Sequence, residues 1–209
     1  MKITHPKVEK YMNSLLHNRS EIFKEIERYA QKIDFPIIEP LLGNLLKQYA
    51  QILKAKRVLE LGSGFGYSAL WFSEGMEEQT EIICTDFEEK NRELALEYFK
   101  KANVKPEIDF RLGNGIEILD QLEEEFDIIF NDVEKEDYPE VYEKAIPRLA
   151  KGGLLITDNT LWYGKVAKKR IKDYQTEGAR DYNRLAFNDI RVISIILPLR
   201  DGITISMKK

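Results

Sequence analysis

The chain has 209 residues, of which 43% are hydrophobic and 33% are charged, and its formal net charge is −4 at pH 7. These values are typical of one globular domain and provide no overall attraction to nucleic acid. No apolar run approaches the roughly 18 residues of a membrane span and the first residues lack the apolar core of a signal peptide, so we expect a cytoplasmic protein with no membrane partner.

The residue types available for chemistry are restricted. Cys84 is the only cysteine, and His5 and His17 are the only histidines. An intrachain disulfide is therefore excluded, and a metal site built from cysteine or histidine is disfavoured. Acid–base or metal chemistry must come from carboxylates, amides, lysine or tyrosine.

Three helices are predicted before the first strand. Two of them lie within residues 7–33, and the second begins at Ser20 as N-cap because apolar residues then recur at helical spacing. Pro36 marks a loop, since proline disfavours helical conformations of the preceding residue. Pro40 suits the first turn of a third helix that runs to Leu53.

A glycine-rich turn follows the first predicted strand. Residues 57–68 read RVLELGSGFGYS, an apolar run that breaks at Gly62, Gly64 and Gly66 into a helical pattern. Such a unit is typical of nucleotide sites, because glycines allow unusual dihedrals and close approach, and a helix start offers unpaired N–H groups to an anion. Tyr67 replaces the third glycine of a dinucleotide fingerprint, which weakens an NAD(P) interpretation.

The second predicted strand, 81–86, ends in an acid. Asp86 lies 24 positions after Gly62, a spacing at which a carboxylate can accept both hydroxyls of a ribose. It could also be the N-cap of the next predicted helix, 88–101. A third strand, 108–112, is followed by a turn at Gly113-Asn114-Gly115.

The fourth and fifth predicted strands end in oxygen-bearing side chains. Asp132 follows strand 126–131, and Asp158 and Asn159 follow strand 154–157. The carboxyl ends of neighbouring parallel strands line one crevice, so we expect these side chains to converge beside the glycine turn. Two carboxylates and an amide suit a hard divalent cation, Mg²⁺ first and Mn²⁺ or Ca²⁺ as alternatives. An Asp-Asn pair is, however, also typical of turns.

Lys135 lies three residues after Asp132, so a turn would point both side chains into the same crevice. A neighbouring dication would disfavour the ammonium form and suit Lys135 to act as a base. Its acidic neighbours, Glu134, Glu136 and Asp137, would favour the ammonium form instead and indicate a solvated surface lysine.

The remaining chain is predicted to cap and close the sheet. A helix from residue 138 ends at Gly152-Gly153, a short helix begins at residue 180, and two strands, 192–199 and 203–207, form a hairpin. A basic run lies between Gly153 and the short helix predicted from residue 180. It is either a solvated face or a site for phosphate groups. This run comprises Lys165, Lys168, Lys169, Arg170 and Lys172.

Residues 60–68, ELGSGFGYS, resemble the first motif of S-adenosylmethionine (SAM) dependent O-methyltransferases of the catechol and caffeoyl-CoA type. Matches at Asp86, Asp132 and Asp158-Asn159 extend the resemblance over most of the chain. It implies the α/β, Rossmann-like class I methyltransferase fold, with a mostly parallel seven-stranded sheet, an antiparallel C-terminal hairpin and helices on both faces. It further implies one domain, with an N-terminal helical cap, 1–53, on a core, 54–209, and a homodimer.

The resemblance also implies roles for individual residues. The cofactor SAM would be bound by Ile38, Glu60, Gly62, Ser63, Gly66, Ser68, Asp86, Phe87, Gly113, Asn114, Gly115 and Asp132. A divalent cation would be held by Asp132, Asp158 and Asn159. Lys135, together with Asp132, would be catalytic, with the lysine as general base. The acceptor would be bound by Trp162, Lys168, Lys169 and Arg170.

The implied activity is methyl transfer from SAM to a hydroxyl of a small aromatic acceptor with vicinal oxygens. The N-terminal pattern also resembles a bacterial branch that is similar to tRNA 5-hydroxyuridine methyltransferases, and 5-hydroxyuracil offers adjacent oxygens for the same chemistry. Two further alternatives are a SAM-binding regulator without catalysis and an NAD(P) oxidoreductase. The oxidoreductase would not explain Asp132, Lys135 and the Asp158-Asn159 pair as a set.

Overall fold

The computed structural model describes residues 3–16 and 19–209, so His17 lies outside the described residues. Three helices precede the first described strand, helices and strands then alternate, and two strands end the order, with two short 3-10 turns at Lys135–Asp137 and Trp162–Ala167. The helices are α1 Pro6–Ser14, α2 Glu21–Ile33, α3 Pro40–Leu53, α4 Tyr67–Ser73, α5 Glu89–Ala102, α6 Gly115–Gln121, α7 Tyr138–Arg148 and α8 Tyr174–Asn188. The strands are β1 Arg57–Leu61, β2 Glu81–Asp86, β3 Glu107–Leu112, β4 Phe126–Asn131, β5 Leu149–Thr157, β6 Val192–Leu197 and β7 Ile203–Lys208.

The strands form one seven-stranded sheet in the order β3-β2-β1-β4-β5-β7-β6. Strands β1 to β5 pair in parallel, whereas β7 pairs antiparallel with both β5 and β6. The predicted parallel sheet with an antiparallel C-terminal hairpin is therefore confirmed. The strand order reverses between β1 and β4, and in an open α/β sheet the crevice at the carboxyl ends of such strands is the usual ligand site.

Apolar side chains alternate along the central strands and build a core on each face of the sheet. On β1, Val58 belongs to the core under helices α2 to α5, and Leu59 belongs to the core under α6, α7 and α8. Both residues are fully buried. Burial on both faces is typical of parallel strands covered by helices, and it explains why these strands read as continuous apolar runs.

Helices α2 and α3 pack on the first of these faces. Phe23 and Ile26 of α2 are buried, and the ring centroid of Phe23 lies 4.3 Å from that of Trp71 in α4. Glu27 accepts a 2.6 Å hydrogen bond from the Tyr67 hydroxyl. Helix α2 therefore contacts the helix that follows the glycine turn. None of the helices in the described part of the chain is long and apolar enough to cross a membrane.

Two predicted boundaries are wrong. Helix α7 ends at Arg148 and strand β5 starts at Leu149, before the glycines that we took as the helix end. Gly152, with a φ of 79°, instead lies in a register shift where β5 pairs with β4, and glycine is typical of such bulges. Helix α8 begins at Tyr174 rather than at residue 180, because the Asp173 side chain caps it by accepting the Thr176 N–H at 2.9 Å.

Candidate active site

A cavity of about 550 Å³ opens at the carboxyl ends of the parallel strands. Leu61, Asn131 and Thr157 are register partners across β1, β4 and β5, so the residues that follow them, Gly62, Asp132 and Asp158, lie side by side at its floor. A more open depression of about 720 Å³ lies at the opposite ends of the strands, and none of the predicted site residues lines it. The first cavity is therefore the candidate site.

The glycine turn is fixed between the ends of β2 and β4. Gly62 has a φ of 85°, and a Cβ at this residue would lie 2.6 Å from the Asp132 carbonyl oxygen. Ser63 N–H donates to the Thr85 carbonyl at 2.7 Å, and Gly64 N–H donates to the Asp86 carboxylate at 3.0 Å. The turn thus needs glycine for its dihedral angle and for its close approach to β4.

Most of the predicted cofactor residues line this cavity. They are Ile38, Gly62, Ser63, Ser68, Asp86, Phe87, Gly113, Asn114, Gly115 and Asp132. Glu60 and Gly66 are not part of the lining. A Cβ on Gly66 would lie 2.5 Å from the Phe99 ring, so this glycine allows α4 to pack against α5.

Glu60 lies buried behind the glycine turn. One of its carboxylate oxygens accepts a hydrogen bond from the Ser68 hydroxyl, while the other is buried without a partner among the described residues. Burial raises the pKa of Glu60 to about 7, against the opposing effect of the Ser68 hydrogen bond. Glu60 therefore does not face the cavity itself, but it contacts Ser68, which does line it.

Asp86 and Asn114 already make hydrogen bonds within the protein. Besides Gly64 N–H, Asp86 accepts the Glu88 N–H and the Asn91 amide, both at 2.9 Å. The N-cap of α5 is Glu88, so the alternative of Asp86 as that N-cap is wrong. Asn114 caps α6 by accepting the Ile116 N–H at 2.8 Å. Its carbonyl oxygen keeps a second lone pair, with which it can accept a further hydrogen bond.

An acidic edge, which we define as Asp132, Asp158 and Asn159, forms one wall of the cavity. One oxygen of Asp158 accepts the Asn159 N–H at 2.7 Å, and the other accepts the guanidinium of Arg200. The Lys135 Nζ lies 4.0 Å from a carboxylate oxygen of Asp132 and donates to the Val133 carbonyl at 3.3 Å. The structure therefore brings Lys135 and the acidic edge together in one crevice.

The charges on this edge fit a divalent cation. Burial, and then the neighbouring charge of Asp158, raise the pKa of Asp132 above its usual value, although Lys135 and Arg200 oppose the shift. Two neighbouring carboxylates disfavour each other's ionisation, and a bound dication offsets this repulsion and favours both ionised forms. In the described part of the chain no three Asp, Glu, His or Cys residues form a metal cluster. The third donor would be the amide oxygen of Asn159, which hard cations accept.

The aromatic wall of the cavity comes from a strained segment after β5. Trp162, Tyr163 and Gly164 have successive φ angles of 43°, 53° and 69°. The Trp162 ring lies 5.4 Å from Lys135 Nζ and 5.1 Å from Lys165 Nζ, within the range of cation–π contacts. Trp162 thus lines the cavity and contacts Lys135, while its role in acceptor binding stays a prediction.

The other residues expected to bind the acceptor lie outside the cavity lining. Lys168, Lys169 and Arg170 are exposed. The loop that carries them is wrapped around Arg180, a residue that our sequence analysis did not single out. Its guanidinium donates to the carbonyl groups of Lys165, Val166, Lys168 and Ile171.

Arg200 is the second functional candidate that the sequence did not reveal. It lies in the turn between β6 and β7, and its guanidinium pairs with Asp158. A turn of the type Arg-Asp-Gly predicts only a hairpin. The contact depends on β7 returning beside β5, which no local pattern indicates.

These features define a class of protein. An open sheet with this strand order, a glycine turn after β1, an acid at the end of β2 and a cavity across the crevice is the class I arrangement of methyltransferases. The O-methyltransferase family matches residues 13–209, and the chain belongs to this family.

Curated relatives agree with this assignment. Caffeoyl-CoA O-methyltransferase 1 of Eucalyptus globulus is 33% identical over 174 residues, which are 78% of this chain and 71% of the relative. Catechol O-methyltransferase of Niastella koreensis is 28% identical over 213 residues, 97% of this chain and 96% of the relative. This chain is therefore a SAM-dependent O-methyltransferase of the caffeoyl-CoA/catechol type.

Solved structures support the same cofactor. The O-methyltransferase from Bacillus cereus in complex with SAH has a TM-score of 0.88 and 25% identity, and the match covers 97% of each chain. TomG from Streptomyces achromogenes, in complex with SAM, has a TM-score of 0.87 and 25% identity, with 97% and 96% covered. The oxidoreductase and non-catalytic alternatives are therefore set aside.

Proposed function

We propose that the protein transfers a methyl group from SAM to one hydroxyl of a small aromatic acceptor with vicinal oxygens, in a reaction that depends on a divalent cation such as Mg²⁺. One observation carries this proposal. Asp132 and Asp158 lie side by side on adjacent strands in the cavity that the glycine turn also lines, with Lys135 4.0 Å from Asp132. The catechol and caffeoyl-CoA relatives support this class of acceptor.

At the acidic edge, the side chains of Asp132, Asp158 and Asn159 would hold the cation. A divalent cation bound there would coordinate the two vicinal oxygens of the acceptor, and its positive charge would favour ionisation of one hydroxyl. Lys135 Nζ would accept the proton of that hydroxyl. The rings of Trp162 and Tyr138, at 5.4 Å and 5.7 Å from this nitrogen, keep the lysine beside Asp132.

On the other side of the cavity, the glycine turn, Asp86 and Asn114 would hold SAM. This cofactor supplies a methyl group on a positively charged sulfur, so its transfer to an oxyanion removes two opposite charges. Water stabilises separated charges, and a site that excludes water therefore favours the transfer. Phe35, Ile38 and Trp162 line the cavity and would exclude water from it.

Replacement of Asp158 tests the proposal. Asp158→Asn keeps the size of the side chain and removes its charge, and we expect turnover of a catechol to fall by about 100-fold or more, as for loss of a metal ligand. Binding of SAH, measured by titration calorimetry, should stay within about threefold of wild type, since Asp158 is not among the residues that would hold SAM. EDTA should abolish the activity of the wild type, and Mg²⁺ should restore it.

A matched control for this variant is Asp181→Asn. Asp181 is exposed on α8 and pairs with Arg184 at the surface, so its replacement should change neither turnover nor SAH binding. Wild-type turnover that persists in EDTA would refute the role of the cation.

A second candidate function is methylation of 5-hydroxyuridine in tRNA. The observation that favours it is the exposure of Lys168, Lys169 and Arg170, none of which forms an ion pair with another described residue. Unpaired basic side chains close to a cavity suit a phosphate backbone. Reversal of all three charges to glutamate should reduce tRNA methylation by about 100-fold or more and flatten its salt dependence, because each lost phosphate contact lowers the salt slope.

The same variant should methylate a small catechol at the wild-type rate. A control with Lys32, Lys54 and Lys100 changed to glutamate alters the net charge equally at exposed residues elsewhere, and it should not affect tRNA. Equal loss in both triple variants, or no methylation of tRNA by the wild type, would eliminate this candidate.

A further inference from the structure

The turn between β6 and β7 is bound to the segment that follows Asp158. Leu161 N–H donates to the Asp201 carbonyl at 2.7 Å, and Thr160 N–H donates to the Gly202 carbonyl at 2.9 Å. A Cβ on Gly202 would collide with Leu161. The backbone of Arg200, which has a φ of 51°, is therefore held next to the acidic edge whatever the cavity contains.

The guanidinium of Arg200 is the positive partner of Asp158. The Asp158 side chain is 2% exposed and that of Arg200 is 18% exposed, and no other carboxylate in an ion pair of the described residues is buried as deeply. Burial alone would lower the pKa of Arg200, but the charges of Asp158 and then Asp132 raise it above the usual value. Arg200 also donates to the Ile37 carbonyl at 3.5 Å, in the loop before α3.

We infer that Arg200 is a tethered counter-ion that competes with the divalent cation for Asp158, so that the cation binds only as the guanidinium leaves this carboxylate. The inference rests on the cation proposed above. Without a cation, Lys135 and Arg200 are the positive partners of Asp132 and Asp158. A dication that bound Asp158 beside the guanidinium would be repelled by its positive charge, which is unfavourable unless Arg200 moves away.

This exchange couples three parts of the site. The same guanidinium donates to the Ile37 carbonyl, so we expect its departure from Asp158 to alter this contact with the loop that carries Ile38, a residue of the cavity lining. The added positive charge is reduced by one when the acceptor binds as a monoanion. The cation and an anionic acceptor therefore bind cooperatively, each raising the affinity of the other by the same factor.

The test is the affinity of Mn²⁺ for the full chain, measured by titration calorimetry without SAM or acceptor. Arg200→Met removes the charge and keeps a long side chain, and it should tighten Mn²⁺ binding by about tenfold or more. Arg200→Lys keeps the charge and should stay close to wild type. Arg184→Met, which removes a charge at an exposed residue of α8, should not change the affinity. Equal or weaker Mn²⁺ binding by Arg200→Met would overturn the inference.

Thermal unfolding gives a second readout with a variant that suits the backbone. Glycine adopts a positive φ without strain, so Arg200→Gly should keep the turn even if Arg200→Met does not fold. In EDTA the glycine variant should unfold at least about 5 °C below wild type, because Asp158 loses its buried partner, and Mn²⁺ should abolish this difference. An unchanged midpoint in EDTA would contradict a counter-ion role.

The two proposals fail in different ways. If wild type and the Arg200 variants bind Mn²⁺ equally, and Asp158→Asn does not bind it, only the role of Arg200 is wrong. If none of these proteins binds Mn²⁺, both the cation step and the competition are wrong.

Discussion

Gly62 is the residue at which the requirements of the fold and of the ligand coincide. Its φ of 85° is left-handed, and its Cα faces the Asp132 carbonyl so closely that a Cβ would lie 2.6 Å from that oxygen. A larger residue would have to separate the end of β1 from the end of β4. This separation would move the glycine turn away from Asp132, which lies at the floor of the cavity.

We therefore expect Gly62→Ala to reduce the free energy of unfolding by about 1 to 3 kcal/mol and SAH affinity by about tenfold or more, from strain and displacement together. Gly152→Ala is the matched control. Gly152 has a similar φ of 79°, but no atom lies within 4 Å of its added Cβ. Urea unfolding of both variants separates dihedral strain from collision, and normal SAH binding by Gly62→Ala would contradict our account of the turn.

At the scale of elements, Arg180 of α8 organises the loop that follows the aromatic wall. Its side chain is 10% exposed, and it donates to four carbonyl groups of this loop, those of Lys165, Val166, Lys168 and Ile171. Backbone carbonyls in a loop without regular structure need such partners. The basic residues 168–170 are therefore presented on an ordered segment beside Trp162.

Arg180→Met should release this loop. Trypsin cleavage after residues 168–170 should accelerate by about tenfold or more, because hydrogen bonds from a charged group contribute about 1.5 to 3 kcal/mol. The KM for the acceptor should rise while SAH affinity stays unchanged. Arg184→Met removes another arginine of α8 and should do neither. Cleavage at the same rate in both variants would show that Arg180 does not hold the loop.

For the whole molecule, sequence patterns predicted the elements whose ends are set by neighbouring residues in the chain, but not contacts between distant segments. The bounds of β2 and β4 were predicted to the residue, because apolar runs there end at acids and turn residues. The start of α8 was missed because the cap at Asp173 lies outside the apolar pattern that we followed. The Asp158–Arg200 pair spans 42 residues, and only the position of β7 next to β5 brings the two together.

In the candidate site, too, some features were predicted from the sequence and others depend on the folded structure. Asp132 and Asp158 were predicted to meet because parallel strands end at one edge, and their register confirms that they lie side by side. Glu60 was expected to bind the cofactor, but it is fully buried within β1 and does not line the cavity. Its role in cofactor binding stays a prediction. The homodimer, the cytoplasmic location and the division at residue 53 stay predictions.

The central claim is that the acidic edge binds a divalent cation. The most direct test is a crystal structure of the full chain with Mn²⁺ and SAH, with anomalous scattering used to locate the metal. We predict one peak about 2.0 to 2.6 Å from oxygens of Asp132, Asp158 and Asn159, the range for hard cations in proteins, with the Arg200 guanidinium no longer on Asp158. A Mn²⁺ peak elsewhere, or an intact Asp158–Arg200 pair with no peak at saturating Mn²⁺, would contradict the claim.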